Sequence, residues 1–87
     1  MFKKIKKRDG RIVHFDSSKI TTAIASAGKA TGEFGDKEAK NLTLRVLSLA
    51  HQLHIGPIPE VEEVQDMVER ILLDSPFYRS TKADILI

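Results

Sequence analysis

Apolar residues along this chain recur at two periods, and the change between them divides the sequence. From Ile20 onward, Ile20, Ala23, Ile24 and Ala27 fall at i, i+3, i+4 and i+7, the spacing that lines one face of an α-helix. Asp16 or Ser17 can cap this helix and Gly28 and Gly32 bracket its end, so it is expected over 17–30. A second helix, expected over 36–54, starts at Asp36 and carries Leu42, Val46, Leu49, Ala50 and Leu53 on its buried stripe. Gly56-Pro57 then stops it, with His51 and His54 in its last turns. Pro59 at a first helical position, followed by Glu60, Glu62 and Glu63, opens a third helix over 59–73. Its core face is Val61, Val64, Val68, Ile71 and Leu72. Asp74-Ser75-Pro76 repeats the start signal for a fourth, over 76–87.

Before Ile20 the pattern is that of strands. Asp9-Gly10 sits between Lys4-Ile5-Lys6-Lys7-Arg8 and Arg11-Ile12-Val13-His14-Phe15. An Asp-Gly pair between two such runs is a strong hairpin signal and points to a two-residue type I′ loop, with strands over 2–8 and 11–15. A short third strand is expected near Ile55–Ile58. The fold class that follows is α+β, mostly α: an N-terminal hairpin capping a four-helix bundle. Ala83-Asp84-Ile85-Leu86-Ile87 ends on three apolar residues without a capping glycine. That reads as a fragment of a longer chain in which the fourth helix continues.

Eighty-seven residues make one domain, burying about 60–65% of the unfolded chain's surface. That supports one core and leaves little for a deep catalytic cavity. There is no cysteine, hence no disulfide, thiolate nucleophile or zinc ribbon, which fits a cytoplasmic setting. No apolar run is long enough to span a membrane, and Met1-Phe2-Lys3-Lys4 lacks the apolar stretch of a signal peptide.

The net charge of +2 conceals a segregation. Residues 1–19 carry seven Lys and Arg against Asp9 and Asp16, while residues 60–74 carry six acidic residues against Arg70 alone. Lys7 and Arg8 are expected at the hairpin tip and Lys19 in the first turns of the helix that follows. Cations fixed by backbone beside a helix N-terminus suit a compact polyanion such as a nucleotide. A nucleic-acid groove would instead spread its cations along a face with exposed aromatics. Taken singly, Lys7, Arg8 and Lys19 also fit solubilising surface charges, and Gln65 a surface helix residue. His51 and His54 stand at i, i+3, but no third metal ligand accompanies them, so helix-end stabilisation is the better reading. No catalytic triad, carboxylate dyad or metal cluster emerges, and no phosphate-binding loop of the kinase type is present.

The order of motifs resembles a known family. Lys7-Arg8-Asp9-Gly10, Phe15-Asp16, Lys19-Ile20, Val61-Glu62-Glu63-Val64-Gln65-Asp66-Met67-Val68-Glu69 and Asp74-Ser75-Pro76-Phe77-Tyr78 are similar in order and spacing to the ATP-cone domain, over nearly the whole chain. ATP-cones are nucleotide-sensing modules of ribonucleotide reductases, where ATP permits activity and dATP stops it. They also occur in a repressor of the reductase genes behind a four-cysteine zinc ribbon, which this chain lacks. The resemblance implies the regulatory head of a reductase large subunit, and the stretch from Gln65 to Glu69 is most similar to that of the anaerobic ribonucleoside-triphosphate enzyme.

Carried over position by position, the resemblance implies that Lys7 and Arg8 hold the triphosphate and that Gly10 lets backbone approach it. Lys19 would reach the phosphates, Ile20 would touch the base, and Asp16 would lie near base or sugar. Val64 and Gln65 would close the pocket from the third helix. Val13 stands where some members have a carboxylate facing the adenine, and the family's late basic residue would fall just beyond Ile87. The implied ligand is ATP or dATP, with magnesium as an optional companion and no redox cofactor. The implied partners are the reductase's catalytic body and its other subunits, with no membrane. A nucleic-acid-binding or transcriptional-regulator domain using the basic hairpin is the alternative.

Overall fold

A computed structural model describes residues 2–82 and 85–87. Strands β1 (Lys4–Lys6) and β2 (Ile12–His14) form an antiparallel hairpin in which Lys4 faces His14, Ile5 faces Val13 and Lys6 faces Ile12. Helices α1 (Ser17–Thr31), α2 (Asp36–Gln52), α3 (Val61–Leu73) and the short α4 (Tyr78–Lys82) follow. Each helix packs on the next, and α4 closes the ring against α1. The core holds Ile20, Ile24, Ala39, Leu42, Val46, Val64, Val68 and Leu72, joined from the hairpin by Ile5. Helical stripes on α1, α2 and α3 therefore face one another, as the periodicity requires. Polar ties cross the same seams: Thr21 meets Thr43 at 2.7 Å between α1 and α2, and Thr31 meets the fully buried Ser80 at 2.9 Å between α1 and α4.

The hairpin turn differs from the expected type I′ loop. Gly10 N–H donates to the Lys7 carbonyl and Lys7 N–H to the Arg11 carbonyl. Among the described residues only Gly10, Gly32 and His54 have positive φ, so Asp9 does not. The loop is Arg8-Asp9-Gly10, a turn on Arg8 and Asp9 closed by a left-handed glycine at φ +89°. The cause lies in Asp9, whose carboxylate accepts from Arg11 N–H at 3.1 Å and from Arg11 Nε at 2.7 Å, a local bond that favours negative φ. The added loop residue brings Lys7 opposite Arg11, on the inward side with Ile5 and Val13.

Other boundaries shift for equally local reasons. Helix α2 is capped by Gly35 rather than Asp36, because Asp36 is already helical and its carboxylate pairs with Lys29 Nζ at 3.0 Å. The chain leaves α2 at His54, in the left-handed region at φ 52°, with Ile55 N–H returning to the Ala50 carbonyl. Histidine tolerates that conformation better than most residues, so Gly56 is not the stop. Leu53, expected on the buried stripe, is exposed. Pro59 lies outside α3, which Glu60 caps while its own N–H donates to Glu63 Oε1 at 2.9 Å. The Pro59 carbonyl instead accepts from Lys6 N–H at 2.9 Å. The expected third strand at 55–58 is thus reduced to a single parallel bridge between Lys6 and Glu60, since the chain turns into α3 at once.

The fourth helix is the largest correction. It is described over Tyr78–Lys82, and Ile85–Ile87 is not helical; Ala83 and Asp84 lie outside the described residues. The segment is drawn off by Gln65, whose amide bonds to the backbone of Ile85 and Ile87 while the Ile85 side chain enters the core.

Gly10 has open space where a Cβ would stand, so only its backbone conformation restricts it. Gly10→Val is expected to lower stability by roughly 1–3 kcal/mol, the cost of a β-branched residue held at positive φ. A denaturant melt matching the parent protein would show that the loop does not require glycine.

Candidate functional site

Between the inner face of the hairpin and the start of α1 lies a cleft of about 200 Å³. Ile5, Val13, Ile20 and Val61 make its apolar lining, with Phe15 alongside, while Lys7, Asp16 and Lys19 supply polar groups. The sequence builds it in three steps. Alternation along β1 puts Lys7, half-buried, on the side of the sheet that Ile5 occupies. Asp16 leaves the extended backbone and caps α1, accepting from Ser18 N–H at 3.0 Å and Ser18 Oγ at 2.6 Å. In the first turn of the helix Lys19 is exposed while lining the cleft, and Ile20 is buried, only 2% exposed. Phe15 and Ile20 occupy the positions flanking a capped helix start where an apolar pair fixes the entry angle.

Eight residues were expected in one site, and the structure groups four of them. Lys7, Asp16, Lys19 and Ile20 line the cleft. Arg8 and Gly10 lie with Glu60 and Glu62 in a neighbouring depression, which shares Lys7 with the cleft. Arg8 Nε pairs with Glu62, and Arg8 Nη1 donates to the Ile87 carbonyl at 2.9 Å. Val64 is 1% exposed and lines neither hollow. Gln65 is 8% exposed, its amide shared among Ile85, Ile87 and Glu69. Sequence reasoning missed Val61, Phe15, Leu86 and Ile87 as lining residues. Phe15 carried a signal in its place before the capping Asp16; Leu86 and Ile87 carried none once read as helix.

The arrangement offers an anion two lysines and the positive end of a helix dipole, above an apolar floor suited to a flat ring. A larger hollow of about 760 Å³ beside α2 is lined by Phe2, Leu44, Leu47, His51 and His54 among others. It has no lysine or arginine to hold a polyphosphate. Among the described residues no three His, Cys, Asp or Glu side chains converge as metal ligands, and none of the helices is long and apolar enough to cross a membrane.

The candidate site is thus a basic hairpin laid over a helix start, on a bundle of four helices. The ATP cone domain family matches residues 3–87, and the chain belongs to that family, whose members are allosteric nucleotide-binding regulatory modules. It is 36% identical over 85 residues to the vitamin B12-dependent ribonucleoside-diphosphate reductase of Thermoplasma acidophilum, covering 98% of this chain and 11% of that protein. It is 33% identical over 87 residues to the ribonucleoside-diphosphate reductase subunit alpha of Chlamydia pneumoniae, covering 92% of this chain and 8% of that one. The chain thus spans about a tenth of the length of the curated relatives it matches.

Three carboxylates are held ionised: two at the hairpin and the start of α1, and one beyond the C-terminal end of α1. Asp9 lies below its ordinary value of 3.8 because Arg11 N–H and then its guanidinium donate to it. Asp16 lies below 3.8 because the Ser18 hydroxyl and N–H donate to it, with Lys19 adding attraction. Desolvation pushes Glu33 upward, but hydrogen bonds from Ser80, with Arg79 nearby, outweigh it and leave the group below 4.5. Each folded-state value is depressed, so the stability these groups contribute is present above the ordinary values and lost as pH falls from there through the lowered folded-state values. Thermal melts should therefore drop on acidification below the ordinary carboxylate range. Asp16→Asn, which still caps a helix, should keep the neutral-pH melting temperature and flatten part of that acid slope. An acid slope identical in the variant would remove Asp16 from the account.

Proposed function

We propose that this domain binds ATP or dATP in the cleft between the hairpin and α1, and that it thereby sets the activity of a ribonucleotide reductase of which it is the regulatory part. The observation that carries the reading is the convergence of Lys7, Lys19 and the α1 N-terminus on one apolar-floored cleft. In this reading Lys7 and Lys19 hold the phosphates by charge-assisted hydrogen bonds. Ile20, Phe15 and Val13 meet the base, and Asp16 keeps the helix start in place through Ser18. Arg8 and Gly10 complete the tip, Gly10 by giving the turn its shape, while Val64 and Gln65 back the cleft from α3. Magnesium, if it accompanies the nucleotide, would be held by phosphate oxygens and water, which is its usual preference where protein carboxylates do not gather.

The two relatives named above are diphosphate enzymes by name, whereas the stretch from Gln65 to Glu69 resembles the anaerobic triphosphate kind. We assign the parent to the triphosphate class on that stretch; turnover with di- and triphosphate substrates decides it. Sensing requires that the nucleotide bind one arrangement of the domain better than another, because a ligand with equal affinity for both shifts nothing. ATP and dATP should accordingly stabilise different contacts between this domain and the catalytic body or other subunits. Light scattering and turnover of the parent enzyme with each nucleotide should differ, and indifference of both to the nucleotide would leave binding without switching.

Calorimetric titration tests the site itself. Lys7→Ala and Lys19→Ala should each weaken ATP binding by roughly 1.5–3 kcal/mol, the range for charged hydrogen bonds. Their melting temperatures should scarcely change, since solvent-screened charges contribute little to stability. Unaltered affinity in both variants, or binding of oligonucleotides in place of ATP, would contradict the assignment.

A further inference from the structure

Gln65 treats Ile85–Ile87 as a neighbouring strand would. Its Nε2 donates to the Ile85 carbonyl and its Oε1 accepts from Ile87 N–H at 2.9 Å, the two-residue spacing at which one edge of an extended chain presents its groups. Glu69 fixes the amide by accepting from the same Nε2 at 3.0 Å. Arg8 Nη1 also donates to the Ile87 carbonyl. Of the side chains, Ile85 is buried, Ile87 packs on the core and Leu86 is 74% exposed. Leu86 and Ile87 also form part of the wall of the cleft.

Two features make this segment more than a wall. Drug- and cofactor-sized ligands occupy hollows of roughly 300–1,000 Å³, and the cleft with the segment in place offers about 200 Å³. In addition, Arg8 at the hairpin tip, a cation otherwise available to an anion, is engaged by Glu62 and the Ile87 carbonyl. The segment therefore takes both space and a donor from whatever enters.

We infer that Ile85–Ile87 is a strap that competes with the nucleotide for the cleft, held down by Gln65 and Arg8 as positioning residues. Nucleotide entry releases the strap and frees the Arg8 Nη1 donor, while Arg8 Nε stays on Glu62, so occupancy of the cleft is transmitted as the undocking of Ile85–Ile87. The inference rests on the nucleotide reading of the cleft. Its signature is one of sign. A ligand contact loses affinity when removed, whereas removing a latch raises it, because a site available only part of the time binds with its affinity reduced by that fraction.

The test uses the full chain and ATP. Gln65→Leu puts an apolar side chain of similar size in this buried position and cannot hold the strap. It should tighten ATP binding by about tenfold, the effect of freeing a strap docked about nine-tenths of the time. In the unsubstituted protein, ATP should speed hydrogen exchange at the Ile87 amide while slowing it at Ser18 and Lys19. That measurement needs no variant and decides the matter should Gln65→Leu fail to fold. Weaker or unchanged ATP affinity in Gln65→Leu, or an Ile87 amide whose exchange ATP leaves alone or slows, would overturn the strap and make the segment a fixed wall. Failure of the unsubstituted chain to bind ATP would overturn the nucleotide reading beneath it, and is told apart by that control.

Discussion

The site depends on how a hairpin too small to stand alone is fastened to a bundle of helices. Three-residue strands do not persist in water without a surface to cover. Here Ile5 enters the helical core and the next residue, Lys6, donates its N–H to the Pro59 carbonyl at the mouth of α3. These two adjacent fastenings fix the sheet's height and tilt. Everything at the cleft follows from them: Lys7 comes one residue later, on the inward side, and β2 delivers Phe15 and Asp16 to the start of α1. Loss of the Ile5 anchor would remove the cleft's roof before it touched any charge.

The helical core was legible because its signals are periodic and redundant. Ile20, Ile24, Val46, Val64 and Val68 each lie on a stripe that no other fold of the segment could bury. The features that eluded the sequence are the ones decided by a single local bond or a single distant partner. Asp9 selects a three-residue turn through Arg11, which no count of hydrophobic residues records. His54 ends α2 by accepting a left-handed backbone two residues before the glycine that seemed made for it. At the last segment the apolar pattern Ile85, Leu86, Ile87 fits a helix as well as a strand, and the choice is made by Gln65, twenty residues away in sequence from Ile85.

The candidate site divides along the same line. Lys7, Asp16, Lys19 and Ile20 come together because each sits close in sequence to a turn or cap that orients it. Arg8 and Gln65, expected beside them, are instead bonded to Glu62 and to the backbone of residues 85–87. Their chemistry suits a ligand, but a polar side chain satisfies itself with the nearest backbone groups available. A family motif can therefore be intact in sequence while its members serve two different partners in the fold. The charge segregation is also resolved at this level: the basic end and the acidic start of α3 meet across the hairpin tip, where Arg8 and Glu62 pair.

The central claim is that the cleft roofed by the hairpin and based on the start of α1 receives the nucleotide. The most direct measurement is a backbone amide NMR titration with ATP, because it locates the ligand without presupposing a residue. The account predicts that the largest shifts cluster at Lys7, Val13 to Ile20, Val61 and Ile87. Shifts concentrated instead around Leu44, Leu47 and His51 beside α2, or a saturating titration that leaves Lys7 and Lys19 unmoved, would contradict it.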